Sequence, residues 1–355
     1  MSELRINNIT DRAGSSGPII AGVSTVTSTS HMVMPSGPTE MRGGRGRGII
    51  WMNSPSGTKT INKIEIATTG NAVDFGDSKV SKSLPGVCAS TTRGIFSGGQ
   101  PGASPYYITD IEYVIISSNG GGNDFGDLTK GRLASIDARR GSCAGSNDLT
   151  RGLIAGGNTP GDGGARKSID FITMASTGDS SDFGELVQER FDFMGGMGNG
   201  VRAVFAGGYS QTSPAATFFK IIDTVNVQTK GEATKFGELS QTKGRTTNTS
   251  NSIRGLNLGG GPAPTGRTNI IEFITLSTEG NAQDFGDLAD PVLSHASCAS
   301  STRAVQTGGS ISSGSVNTMQ FVTISTTGDA TDFGDITATQ SALAALSDVN
   351  GGLGD

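Results

Sequence analysis

The stretch Ser180–Arg190, SSDFGELVQER, contains Asp182-Phe183-Gly184. In protein kinases this triplet presents an aspartate to magnesium, the chemistry of phosphoryl transfer. Here it occurs repeatedly: DFGD at Asp74–Asp77, Asp124–Asp127, Asp284–Asp287 and Asp332–Asp335, DFGE at Asp182–Glu185, and the variant KFGE at Lys235–Glu238. The phenylalanines Phe75, Phe125, Phe183, Phe236, Phe285 and Phe333 follow one another at 50, 58, 53, 49 and 48 residues. A kinase needs one magnesium aspartate, beside a catalytic loop and a lysine-bearing strand that this sequence lacks. Copies at a near-constant period define a structural repeat instead.

The remaining candidates for chemistry are weighed the same way. The eleven acids flanking the six Phe-Gly pairs suit calcium by type. Six radially separated turns do not converge on one ion, so each Asp is expected to cap its own turn while the phenylalanine packs between repeats. No metal site is expected. Arg93, Arg151 and Arg254 before Gly, with Arg202 and Arg303 before Ala, are expected to bridge repeats by pairing with neighbouring acids, the DFG acids among them. His31 and His295 are the only histidines and stand in unrelated places, so no Ser-His-acid or Cys-His constellation can be assembled. Cys88, Cys143 and Cys298 lack metal spacing and sit at similar places in their repeats, as small buried residues would. EMRGGRGRGII (Glu40–Ile50) has the look of an RNA-binding RGG box, but a single copy without aromatics reads as a Gly-rich linker. GGMGNGVR (Gly195–Arg202) lacks a strand-helix context for a nucleotide loop and reads as a turn between strands. No cofactor and no catalytic residue is assigned.

The elements that carry these residues are short strands. Glycine is abundant, 55 of 355 residues, and helix interiors disfavour it. A net charge of −5 gives no support to a nucleic-acid binder. No secretory leader or membrane-spanning run is read. Before each DFG lies an alternating segment, for example NKIEIATTGNAVDFGD or IIEFITLSTEGNAQDFGD, and before that a strand ending in paired glycines. These are RGIFSGG (Arg93–Gly99), RGLIAGG (Arg151–Gly157), RAVFAGG (Arg202–Gly208), RGLNLGG (Arg254–Gly260) and RAVQTGG (Arg303–Gly309), with RGIIWMN (Arg47–Asn53) in the first unit. A small-residue segment such as LPGVCASTT completes a four-stranded unit of about 50 residues. Such a unit cannot bury both faces alone, and radial stacking is the solution.

The order Arg, small strand, Gly-Gly strand, amphipathic strand and aromatic resembles the kelch repeat over residues 47–349, with the DFG phenylalanine standing where kelch units carry Trp. The resemblance implies an all-β fold, a six-bladed kelch-like β-propeller spanning 47–355, with residues 1–46 as a short irregular N-terminal extension. TQSALAALSDVNGG is the expected strand that closes the first blade; Ser24–Met34 is a rival donor.

What differs between units is the connection after the Gly-Gly strand, where recognition is expected. Tyr106, Tyr107, Tyr209, Phe218 and Phe219 concentrate there. Exposed, they would meet a partner protein or sugar; buried, they would pack the blades. The leading segment and the STTGNAVDFGDL-style repeats are similar to virion structural proteins of tailed phages, particularly those of marine cyanobacteria. That resemblance implies a tail, fibre, baseplate or capsid appendage located in the virion after synthesis in the host cytoplasm. It implies docking to other virion proteins through residues 1–46, contact with a host-surface glycan or receptor, and a homo-oligomer, without nucleic-acid binding or membrane insertion. The rival readings are a carbohydrate-active propeller enzyme, which needs two carboxylates outside the repeat, and an intracellular kelch-like adaptor.

Overall fold

The computed structural model describes residues 46–52, 58–101, 108–128, 143–146, 150–159, 164–210, 216–262 and 266–348. The attachment segment expected at 1–46, with His31 and the rival donor Ser24–Met34, lies outside them apart from Gly46. Within the described residues every regular element is a strand, and the strands form six antiparallel blades around one axis. The fold is a six-bladed β-propeller.

Each blade runs from an inner to an outer strand. Blade 2 shows the pattern: Gly86–Ala89, Arg93–Ser97, Asp110–Ile115 and Asn123–Asp127. The inner strands are built from small residues because six of them crowd the axis: GVCA, CAGS and ASCA in blades 2, 3 and 6. Blade 1 takes its inner strand from the far end of the chain. Ala344–Ser347 pairs antiparallel with Arg47–Trp51, and the Arg47 amide donates to Asp348 Oδ1 at 2.8 Å. Blade 4 is the irregular one. Its inner strand is only Met197–Gly198, and the preceding Phe193–Met194 pairs in parallel with the inner strand of blade 5, Thr246–Ser250. The Gly195–Arg202 stretch is therefore not simply a turn, because it contains an inner strand.

The DFG motif lies on the outer strand and not in a turn, which corrects the expectation from its composition. In blade 1, Ile61 opposes Gly76 and Asn62 opposes Asp74, so Phe75 has no partner across the ladder. The same register shift recurs in all six blades. A bulge of this kind bends the strand and re-aims the extra side chain. Here it aims each phenylalanine into the seam with the next blade. Phe75 packs with Val114 and Ile116 of blade 2, Phe125 with Ile172 and Met174 of blade 3, and Phe183 with Val225 and Val227 of blade 4. Phe236, Phe285 and Phe333 continue the pattern to blades 5, 6 and 1.

The glycine after each phenylalanine is required by close approach. At Gly334 the φ is +138°, and a Cβ would lie 2.6 Å from the Gly70 carbonyl carbon of the next blade. That carbonyl belongs to a turn whose amides complete the seam: Gly70 N donates to Phe333 O at 2.7 Å and Ala72 N to Asp335 O at 2.8 Å. Equivalent pairs join every other seam, as in Gly328 N to Phe285 O and Ala330 N to Asp287 O.

Phe285→Ala should therefore destabilise the ring by about 3–5 kcal/mol, the usual cost of emptying a packed aromatic site; urea denaturation measures it. A variant ending at residue 343 should leave Ile49, Ile50 and Trp51 without their neighbour strand. The fluorescence of Trp51, the only tryptophan in the chain, should then shift to longer wavelength and the thermal midpoint should fall.

Candidate functional site

The repeat arginines do join blades, but through carbonyls and not the DFG acids. Arg47 Nη1 donates to Ile116 O at 2.8 Å and Arg93 Nη1 to Met174 O at 2.9 Å. Arg151 reaches Gln228 O, Arg254 reaches Ile324 and Ser325 O, and Arg303 reaches Ala67 O. In each case the acceptor lies at the end of the next blade's third strand. Arg202 is the exception, pairing with Glu279 of blade 5 at 3.7 Å. The guanidinium also lies over a third-strand ring where there is one, at 4.8 Å for Arg93 on Tyr113 and 4.6 Å for Arg303 on Phe321. Those rings meet the DFG phenylalanines edge to face, with centroids 6.0–6.1 Å apart in blades 2, 3, 5 and 6. Arginine, ring and wedge thus form one stack.

The DFG acids face solvent. Asp74, Asp77, Asp124, Asp182, Asp284, Asp287 and Asp332 are exposed around the perimeter. Some are bonded at that surface: Asp124 lies 3.5 Å from Lys79 Nζ, Asp127 accepts from Thr109 Oγ1 at 2.7 Å, and Lys220 and Lys235 hydrogen-bond Glu238 at 2.6 and 2.7 Å and hold its carboxyl down at about 2. Among the described residues no group of three His, Cys, Asp or Glu side chains is placed to hold a metal ion. No helix among them is long and apolar enough to cross a membrane.

A second set of polar side chains went unnoticed in the sequence. Asn62, Glu112, Asp170, Asp223, Glu272 and Gln320 occupy one column of the third strands, and all are buried. Five of them accept main-chain N–H groups from the connection entering their blade: Asn62 from Thr337, Glu112 from Lys79 and Val80, Asp223 from Val187, Glu272 from Ser240, and Gln320 from Ala289. Asp170 accepts from Ser180 Oγ. Three of the acids also meet a buried cation from that connection. Lys82 lies 3.4 Å from Glu112, Arg190 is 2.8 Å from Asp223, and Lys243 is 2.7 Å from Glu272. Burial pushes the Glu112 carboxyl up against the pull of Lys82, and pushes the Lys243 ammonium down against the pull of Glu272. The available signal was a polar residue recurring between apolar neighbours at one column of every third strand.

At the axis, Leu84, Asp192, Arg245, Ser294 and Ala342 hold left-handed backbone, with φ of 52–64°. Their main chains bond head to tail: Arg245 N to Asp192 O, Ser294 N to Arg245 O, Ala342 N to Ser294 O and Leu84 N to Ala342 O. The strain in these non-glycine residues is thus held by a collar around the axial mouth. Below it a small axial cavity is lined by Cys88, Gly195, Gly196, Asn248, Ser297, Cys298 and Ser347. Burial pushes both thiols up to about 12, which leaves Cys88 and Cys298 as unreactive packing groups. The side chain of Cys143 is outside the described residues.

The connections after the Gly-Gly strands fold back onto the connections between blades, through bridges such as Ser83 with Gln100 and Phe191 with Tyr209. In blade 4 this makes an aromatic stack. Phe191 and Tyr209 lie 4.4 Å apart and Tyr209 and Phe218 4.8 Å apart, and Tyr209 is 4% exposed. Tyr209 therefore packs the blade and offers no face to a partner. Phe218 and Phe219 are half-buried. Tyr106 and Tyr107 fall outside the described residues, as do the connection tips at 53–57, 160–163, 211–215 and 263–265. In blade 6 the connection is described throughout and exposes Ser312, Ser313 and Ser315.

No protein-family model matches this chain, and no curated protein is significantly similar to it. The class of protein is therefore defined by its geometry: a six-bladed β-propeller, consistent with a kelch-like one, with its repeated polar groups joining blade to blade.

The buried pairs give a direct test. Lys243→Met should cost about 3–5 kcal/mol, because it strands the Glu272 carboxylate in the interior. Adding Glu272→Leu should restore much of that loss in the same urea titration.

Proposed function

We propose that this protein is a non-enzymatic structural component of a tailed-phage particle: part of a tail, fibre, baseplate or capsid appendage. In this reading residues 1–46 dock onto other virion proteins. The propeller is a rigid platform whose variable connections meet a neighbouring subunit or a host-surface glycan, in single or oligomeric form.

The observation that carries the non-enzymatic part is where the repeated polar groups are used. The arginines, the third-strand acids and amides, and the buried cations hold neighbouring blades in place, the DFG acids are spread around the perimeter, and the two buried acids outside the repeat are bound in the scaffold, Asp192 beside Arg245 and Asp348 on the Arg47 amide. A hydrolytic site would instead bring two carboxylates outside the repeat to face each other in a cleft. Support for the phage part comes from the resemblance of the leading segment and the repeats to virion proteins. Fold alone does not carry function.

Mass spectrometry of purified particles is the test. The protein should be present at a fixed ratio to the major capsid protein, and its absence from particles would reject the reading.

A further inference from the structure

His295 stands at the start of the blade 6 inner strand, Ala296–Ala299, and is fully buried. Its ring packs against the main chain at Gly259 of blade 5, and its Cβ lies against Gly309 of its own blade. Neither ring nitrogen makes a hydrogen bond of normal geometry. The Leu258 carbonyl favours the protonated ring, but it completes no such bond and offsets only part of the burial cost. The charged group that bears on the ring is Lys243, which is itself paired with Glu272 and repels a second positive charge. Val292, Leu258, Gly259 and Gly309, which the other packed segments present, carry no charge.

The seam around His295 lacks the clamp found elsewhere. In the connections entering blades 2, 4 and 5, the fifth residue after the outer strand is a buried cation: Lys82, Arg190 or Lys243. In the connection entering blade 6 the same place holds Val292, and its partner column holds the neutral Gln320. Near the axis the seam is joined by neutral groups: Ser294 N to Arg245 O at 3.1 Å, Gly260 N to Val292 O at 2.9 Å and the buried hydroxyl pair of Thr247 with Ser297 at 2.9 Å. Gln306, on the adjoining strand, has a side-chain oxygen without a partner.

We propose that the seam between blades 5 and 6 is a built-in acid-sensitive opening point, triggered by protonation of His295. A neutral imidazole fits the seam; an imidazolium there has only the Leu258 carbonyl in its favour, against burial and a lysine repelling it. Opening lets water reach the ring.

Burial holds the His295 pKa down at about 3, from an ordinary value of 6.5. The opened state therefore binds the extra proton. The closed seam keeps its full stability above about pH 6.5 and loses it progressively as the pH falls toward 3. Between pH 7 and pH 4.5 the opened population should rise on the order of 100-fold.

Hydrogen exchange of the full-length protein, read by mass spectrometry and corrected for the intrinsic pH dependence of exchange, tests this. Protection in 293–299 and 256–260 should fall on the order of 100-fold between pH 7 and 4.5, while protection in 84–89, the equivalent segment of blade 2, stays constant. His295→Gln should abolish the pH dependence in the first two segments. Equal loss of protection in all segments would mean global unfolding and would overturn the local opening point. Unchanged protection at 293–299 would overturn the trigger. Should His295→Gln fail to fold, the wild-type comparison of segments decides alone.

Discussion

One extra residue in each outer strand organises this molecule. The bulge at Asp-Phe-Gly leaves the phenylalanine without a ladder partner and turns it into the neighbouring blade, where it is 2–4% exposed. A flat outer strand would alternate its side chains between the two faces of its own sheet and leave the seam shallow at its rim. With the bulge, apolar packing extends from the small residues at the axis to the perimeter, and each blade covers a surface that it could not bury alone.

The same bulge resolves a problem of exposed edges. The outermost strand of a blade presents unpaired main-chain groups, an invitation to aggregation. Here the next blade's turn donates to the carbonyls of the phenylalanine and of the acid after the glycine. In four seams an Asn or Asp side chain of that turn also accepts the N–H of that acid: Asn71, Asp179, Asn281 and Asp329. The edge is thus partly paired within the ring, and the exposed carboxylates of the motif guard the rest by charge.

The polar groups divide labour by depth. At one face the arginines of five blades tie the second strand to the end of the next third strand, and Arg202 pairs with Glu279 instead. Toward the other, the buried acids and amides grip the connections that enter five of the blades, and cations accompany three of the acids. Ion pairs at such depth cost desolvation and hold position more than they add net stability. The ring is consequently uneven. Seams lacking the cation, and blade 4 with its divided inner strand, depart from sixfold regularity.

The blade count, the order of strands within a blade and the inter-blade placement of the phenylalanines were legible in the sequence, because a repeat displays its period and its apolar alternation directly. The direction of the arginines was legible, but their acceptors were not. Carbonyls such as Ile116 O and Met174 O belong to the backbone and leave no trace in residue type. The bulge was hidden because Asp-Phe-Gly read locally is turn-like, and only counting it against the partner strand reveals the surplus residue. Burial of Tyr209 likewise depended on its connection folding onto Phe191, on the connection that enters the same blade. Local pattern is written in the chain, whereas what a polar or aromatic group finally touches is set by the neighbouring blade, and that neighbour exists only once the ring has closed.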